Sequence, residues 1–452
     1  MSKLTRLLST AGAVALLAPA AASADAPWSA PVAIPGTASG PGAVTPAGRA
    51  VALDPSSSVQ APGTPSELVR LDPGTGAALS ATGVGLAAAF VTDYAQDAVA
   101  VAGTSLGPSG TIDEQSRVRA GTTSAAAGTP TLRTLSGTQN QNVSALDGNA
   151  RGDVAFVTRG GSSRMVFLRR HGATTFSRIL TIGVTSQARD ITVAVGPDGD
   201  LLVAWEDRHE VMARHRGVHG TWGAAHRLGP GVQSHLQAAV DPTGRLLVAW
   251  ASQRVGEGDA ATSPDVRFVT AAPGHGFGGL RTPESARSGS GSNVAVAAPA
   301  VRLVVTARSR ALLAWTSFDG TRFSVRVSAL SAGHIGAAQV LSPAGQDAVL
   351  GDVATTPGTG SSDGPTVVLW RSGPHGSDVP AGTTSRVFAS ARAAGTASFG
   401  APEAVSEAGS DVPFAPTALV VPGTARPLAL LSHLQASGPG ISESSVRAPI
   451  TP

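Results

Sequence analysis

Short apolar runs alternate with polar positions along this chain, and Gly, Pro or Asp break them every few residues. That period of two, bounded by turn residues, is the signature of strands joined by hairpins. No stretch beyond the N-terminus offers a helical apolar stripe. Three segments align with one another: ITVAVGPDGDLLVAW (191–205), LQAAVDPTGRLLVAW (236–250) and LVVTARSRALLAW (303–315). Each reads as a strand, a turn and a second strand ending in Trp. A fourth copy, GPTVVLW, ends at Trp370, so the Trp spacings are 45, 65 and 55 residues. After each Trp follow a connection, a third strand such as EVMARHR, a glycine turn, and a fourth strand such as TWGAAHRLG.

A four-stranded unit repeated at this period predicts an all-β fold, a single β-propeller built from four-stranded blades. The second strands number eight: 50–54, 98–102, 154–157, those ending at Trp205, Trp250, Trp315 and Trp370, and 427–431. Eight blades is the favoured count, and the faint marking of the first two leaves seven open. WSAPVAIPG (28–36) has the form of a fourth strand, while 417–449 supplies three strands lacking a fourth. The N-terminal strand is therefore expected to join the C-terminal blade, closing the ring and leaving no open sheet edge.

Ahead of this domain, residues 1–26 have the plan of a signal peptide. Lys3 and Arg6 form a basic start, Ala11–Ala18 an apolar centre too short to span a bilayer, and Ala22-Ser23-Ala24 a small-residue cleavage pattern. Cleavage is expected after Ala24 or Ala26, giving a secreted domain over 27–452 with no membrane span. The chain has no cysteine, which excludes disulfides, thiol catalysis and Cys-ligated metals. Its pI of about 10.3 is not a nucleic-acid footprint. Without Lys3 and Arg6, 31 arginines face 30 acids and no basic run exists.

Two motifs dissolve into the repeat. Arg151-Gly152-Asp153 spells an integrin-binding tripeptide, but GNARGDVAFV falls where GPDGDLLVAW falls, so it is a first-hairpin turn. DRHEVMARH (207–215) resembles a zinc-protease helix, yet its histidines lie six apart rather than four. On a strand that spacing separates the rings by about 20 Å, too far for one ion. His209, His215, His219, His226 and His235 hold half of all ten histidines and are expected at the surface or rim. No metal or other cofactor is expected.

Ser317-Phe318-Asp319-Gly320-Thr321-Arg322-Phe323 resembles the Asp-box of sialidase-superfamily propellers, although Gly follows Asp directly. It also lies between second and third strands, where that family places it between third and fourth. At the family's position stand GVHGTW, GATTF and PGHGF, which keep a glycine turn and an aromatic without the Ser and Asp. The resemblance covers roughly residues 140–410. It implies a propeller and, in full form, hydrolysis by a Tyr–Glu pair, an acid/base Asp and three arginines. Tyr94 is the only tyrosine and falls in an early hairpin, and no Arg-Ile-Pro motif is present. No catalytic residue carries over.

Two functions follow. The first is a secreted, monomeric, non-enzymatic binding propeller that recognises a glycan or an extracellular protein. The second is a diverged extracellular glycoside hydrolase with acids and arginines at the central channel. Connections between second and third strands vary most in length: 55–67, 103–115, 251–265, 371–385 and 432–445. They share one face, the expected ligand-binding face. Glu206, Asp207, Arg208, His209, Arg254, Glu257 and Asp259 are its candidate residues.

Overall fold

The computed structural model describes residues 32–34, 42–54, 66–105, 107, 114–184, 190–231, 235–252, 265–284, 301–319, 321–358, 360–374, 386–406, 416–422, 426–434 and 441–447. The residues read as a signal peptide lie outside these. No helix among the described residues is long and apolar enough to cross a membrane.

The strands form eight antiparallel sheets, seven of four strands and one of five. Each is a blade, numbered here 1 to 8 in chain order. The extra strand in blade 6 is a divided fourth strand: His334–Ile335 and Gln339–Val340 pair with successive parts of Phe323–Ser331. The innermost strands are Gly42–Val44, Ala87–Tyr94, Asn142–Gly148, Ile191–Val195, His235–Val240, Val301–Ala307, Gln346–Thr355 and Thr417–Val421. Each touches the next, and the eighth touches the first, so the ring closes.

Closure takes the form expected from the termini. Val32–Ile34 is the outer strand of blade 8, antiparallel to Ile441–Arg447, with Val32 opposite Val446 and Ile34 opposite Ser444. The first strand of the chain thereby completes the last sheet.

The core is eight seams, one between each pair of adjacent blades, because each sheet has two apolar faces to cover. The repeated Trp has a fixed place in this scheme. Trp205, Trp250, Trp315 and Trp370 each fill the seam between their own blade and the preceding one. Trp250 is fully buried, and its indole N–H donates to the Pro230 carbonyl at 3.0 Å. Blade 3 has no such Trp. Its seam with blade 2 is packed instead by Phe156 stacked on Phe167 at 4.9 Å and edge-on to Phe176 at 5.2 Å.

The first-hairpin turns share one face with the turns between third and fourth strands, and buried aspartates tie them together. Asp153 of the RGD sequence is 3% exposed. It accepts the His171 amide at 3.0 Å and pairs with Arg170 at 3.6 Å. Asn149 accepts the Gly152 and Asp153 amides and donates to the Gly196 carbonyl of blade 4. Gly152 has φ of 101°, where a side chain would be strained. The tripeptide is a hairpin turn, as the repeat predicts, with Gly152 and Asp153 buried and Arg151 exposed. Asp200 with His215 at 3.2 Å and Asp363 with Arg310 and Arg392 repeat the device.

Removing residues 1–36 opens the edge of Ile441–Arg447. Thermal unfolding of that truncation is expected to shift down by several degrees with concentration-dependent association on size exclusion; an unchanged melt would contradict the closure. Trp250→Ala should cost about 3–5 kcal/mol in denaturant unfolding.

Candidate functional site

Up-and-down pairing places the second-to-third connections and the blade-to-blade crossovers at one end of the ring, the loop face. In blade 4 this connection is only two residues. Asp207 pairs with Glu210, and Arg208 and His209 between them have φ of 51° and 65°. Two successive left-handed residues make a type I′ hairpin turn. The nine-residue stretch that resembles a zinc helix is thus a strand end, a tight turn and a new strand. Among the described residues no three His, Asp or Glu side chains gather as a metal site. His226 sits opposite Ala213, not His215, and packs edge-on against Phe277.

Of the seven candidate residues, Arg208 and His209 are exposed at the hairpin apex, and the His209 carbonyl accepts the Gly231 amide at 2.8 Å. Glu206, one residue before the end of the second strand, is 1% exposed, its amide donating to the Asp190 carbonyl at 3.0 Å. Asp207 is half-buried, and its charge acts on the buried Arg164 of blade 3. Burial lowers the Arg164 guanidinium pKa, helped by Arg159 and opposed by Asp207. Arg254, Glu257 and Asp259 lie outside the described residues.

The central channel holds a second set of acids. Its two adjoining spaces measure about 620 and about 630 Å³, and Asp147 lines both. Asp147 accepts the Val195 amide of blade 4 at 2.7 Å, and Asp190 accepts the Leu236 amide of blade 5 at 2.8 Å. Asp352 accepts the Ala418 amide of blade 8 at 3.0 Å and pairs with Arg302 of blade 6 at 3.1 Å. Thr316 makes the equivalent bond from blade 6 to the Leu350 amide of blade 7. An inner strand's unpaired N–H is thus capped by the blade before it.

The same enclosure raises the carboxyls of Asp93, Asp147 and Asp190. Asp93, at the end of blade 2's inner strand, is pushed up to about 7 by burial and then by the Asp147 charge. Asp147 rises to about 6 through burial, opposed by the Val195 and Gly148 amides. Asp190 rises to about 6 through burial and Glu206, opposed by the Leu236 and Ile191 amides and by Arg159. His235 is depressed by burial and by Arg302. Sequence reasoning passed over the aspartates, although an Asp inside VTDY, ALDG, RDITV and GDVAT interrupts otherwise apolar strands. It also put at the surface or rim His235, which is half-buried in the channel lining because it opens blade 5's inner strand.

The Asp-box-like turn joins second and third strands, as its place in the repeat predicts. Asp319 accepts the Thr321 and Arg322 amides at 2.8 and 2.9 Å, and Phe318 meets Phe323 with centroids 4.7 Å apart. These contacts fix the hairpin.

No protein-family model matches the chain, and no curated protein matches it. Among solved structures, Saccharomyces cerevisiae Sqt1 matches with a TM-score of 0.50 at 10% identity, over 93% of this chain and 98% of that one. The polysaccharide lyase Uly1 matches at 0.43 and 10% identity, over 78% and 88%. The parainfluenza virus 5 hemagglutinin-neuraminidase ectodomain matches at 0.34 and 7% identity, over 69% and 82%. At such identities the likeness is one of fold.

A carboxyl raised in the fold stabilises relative to its unfolded form below about pH 4, and that contribution is lost as pH rises through 6–7. Asp93→Asn removes it. The variant should melt higher than the parent at pH 8, with the gap narrowing as pH falls below 7 and closing only below about pH 4. A gap independent of pH would show that Asp93 is not raised.

Proposed function

We propose that the protein is an exported, non-enzymatic recognition propeller that takes a glycan or an extracellular protein on its loop face. The observation that carries this reading is the contrast between the two faces. Turns on one face are short and tied by buried aspartates. On the other, residues 161–162 and 208–209 join strands in blades 3 and 4, while 55–66 and 253–264 do so in blades 1 and 5. Variable connections on a rigid scaffold are where recognition accumulates. Arg208 and His209 at the blade 4 apex neighbour in sequence order the blade 5 connection that carries Arg254, Glu257 and Asp259. None of the connections 55–66, 105–117, 253–264, 375–385 and 435–440 contains a Phe, Trp or Tyr. Recognition by charge and hydrogen bonding therefore fits better than stacking on a sugar face. The signal-peptide pattern supports export, and ring closure supports a monomer.

A hydrolase is the second reading, supported by the raised Asp93 beside Asp147 in the channel. Against it, Asp147 and Asp190 already accept main-chain amides. Their geometry serves the seams.

A glycan array and an extracellular-protein array, both with a hydrolysis readout, separate the two. Replacing 253–264 by a two-residue Asn-Gly turn should leave the melt within a few degrees and abolish binding without any turnover appearing in the parent. Turnover lost in Asp93→Asn would establish the hydrolase instead. N-terminal sequencing of secreted protein should begin at Asp25 or Pro27; an intact Met1 would refute export.

A further inference from the structure

A third cavity, of about 580 Å³, lies away from both the loop face and the channel, between the outer strands of blade 2 and the third-to-fourth turn of blade 3. Its volume is that of a small-molecule site. Two arginines line it, Arg133 and Arg169, and its described lining contains no carboxylate. Arg169 is held in place: its guanidinium lies 5.1 Å over the Tyr94 ring and donates to the Gly152 carbonyl at 3.4 Å. Arg133 is exposed, at the start of the Arg133–Thr134 strand, and makes no ion pair with any described residue.

The remaining polar groups are hydroxyls. Thr122, Thr131, Thr134 and Ser136 come from blade 2, Thr174 and Thr175 from blade 3. None bonds through its side chain to another described residue, whereas Thr104, Thr138, Thr158 and Ser328 elsewhere do. Buried Leu135 and Phe176 supply an apolar wall. The close approach that shapes the blade 2 side depends on Gly121, where a Cβ would stand 2.2 Å from the Thr131 carbonyl oxygen.

We propose that this cavity is a binding site for an acidic sugar, a residue bearing a carboxylate or sulfate. Guanidinium groups grip carboxylate and sulfate oxygens with paired N–H donors. Threonine and serine hydroxyls both donate and accept, which is what sugar hydroxyls require and a bare inorganic anion does not. Phe176 and Leu135 face the carbon skeleton. The site draws on none of the loop-face candidate residues, so either reading stands without the other.

Isothermal titration or ligand-observed NMR on the full secreted chain tests it with four probes: glucuronate, glucose 6-sulfate, glucose and inorganic sulfate. One or both acidic sugars should bind at least tenfold more tightly than glucose and than sulfate, and which one wins identifies the anionic group. Binding should weaken severalfold in 0.5 M NaCl. Arg133→Ala, on an exposed side chain, should leave the melt unchanged and weaken the acidic sugar at least tenfold. Gly121→Ala should weaken it too, by displacing Thr131. Equal affinity for glucose, sulfate binding as tight as either sugar, full affinity in Arg133→Ala, or no binding by any probe would each overturn the proposal. Loss of loop-face binding in the 253–264 replacement leaves these titrations unaffected.

Discussion

A four-stranded sheet that is apolar on both faces can cover them only with a neighbour on each side. Everything in this molecule follows from meeting that demand eight times without an end. The seams are filled by large side chains from second strands, by the aromatic trio in blade 3, and by aliphatics elsewhere. The ring has no free blade because the first strand of the chain is spent on the last sheet. Each seam is then in tension with what polar groups it must enclose.

Aspartate settles that tension in two ways. On the turn face, Asp153 and Asp363 meet arginines, so charge is answered by charge, and Asp200 meets the His215 ring. In the channel, Asp147 and Asp190 meet mainly main-chain amides. Amides satisfy hydrogen bonds without a full opposing charge, so the cost of burial survives as a raised carboxyl. One residue type thus fastens the scaffold on one face and stores proton affinity at its centre.

The blades were legible where one side chain recurs. Trp205, Trp250, Trp315 and Trp370 mark blades 4 to 7 because each occupies the same niche. In blades 1 and 2 the second strands AVALD and AVAVA pack small side chains against Leu68, Val84 and Leu86, and nothing in their spelling sets them apart. The channel acids were hidden for a different reason. Asp147 answers to Val195 and Asp352 to Ala418, partners one blade away, so the pairing exists only once neighbouring blades have packed. The outer cavity is of the same kind, since Arg133 and Thr174 come from separate repeats. Likewise, the turn chemistry of Arg208 and His209 could not be read locally, as neither residue type advertises a left-handed backbone.

The pairing of Val32 with Val446 brings together residues more than 400 positions apart. Such a contact can form only after nearly all the chain is available, and long-range pairing of this kind slows folding. A chain synthesised N-terminus first keeps Val32–Ile34 unpaired until Ile441–Arg447 is available. Until then one sheet edge and two apolar faces stay open, and folding is completed by the last segment to arrive.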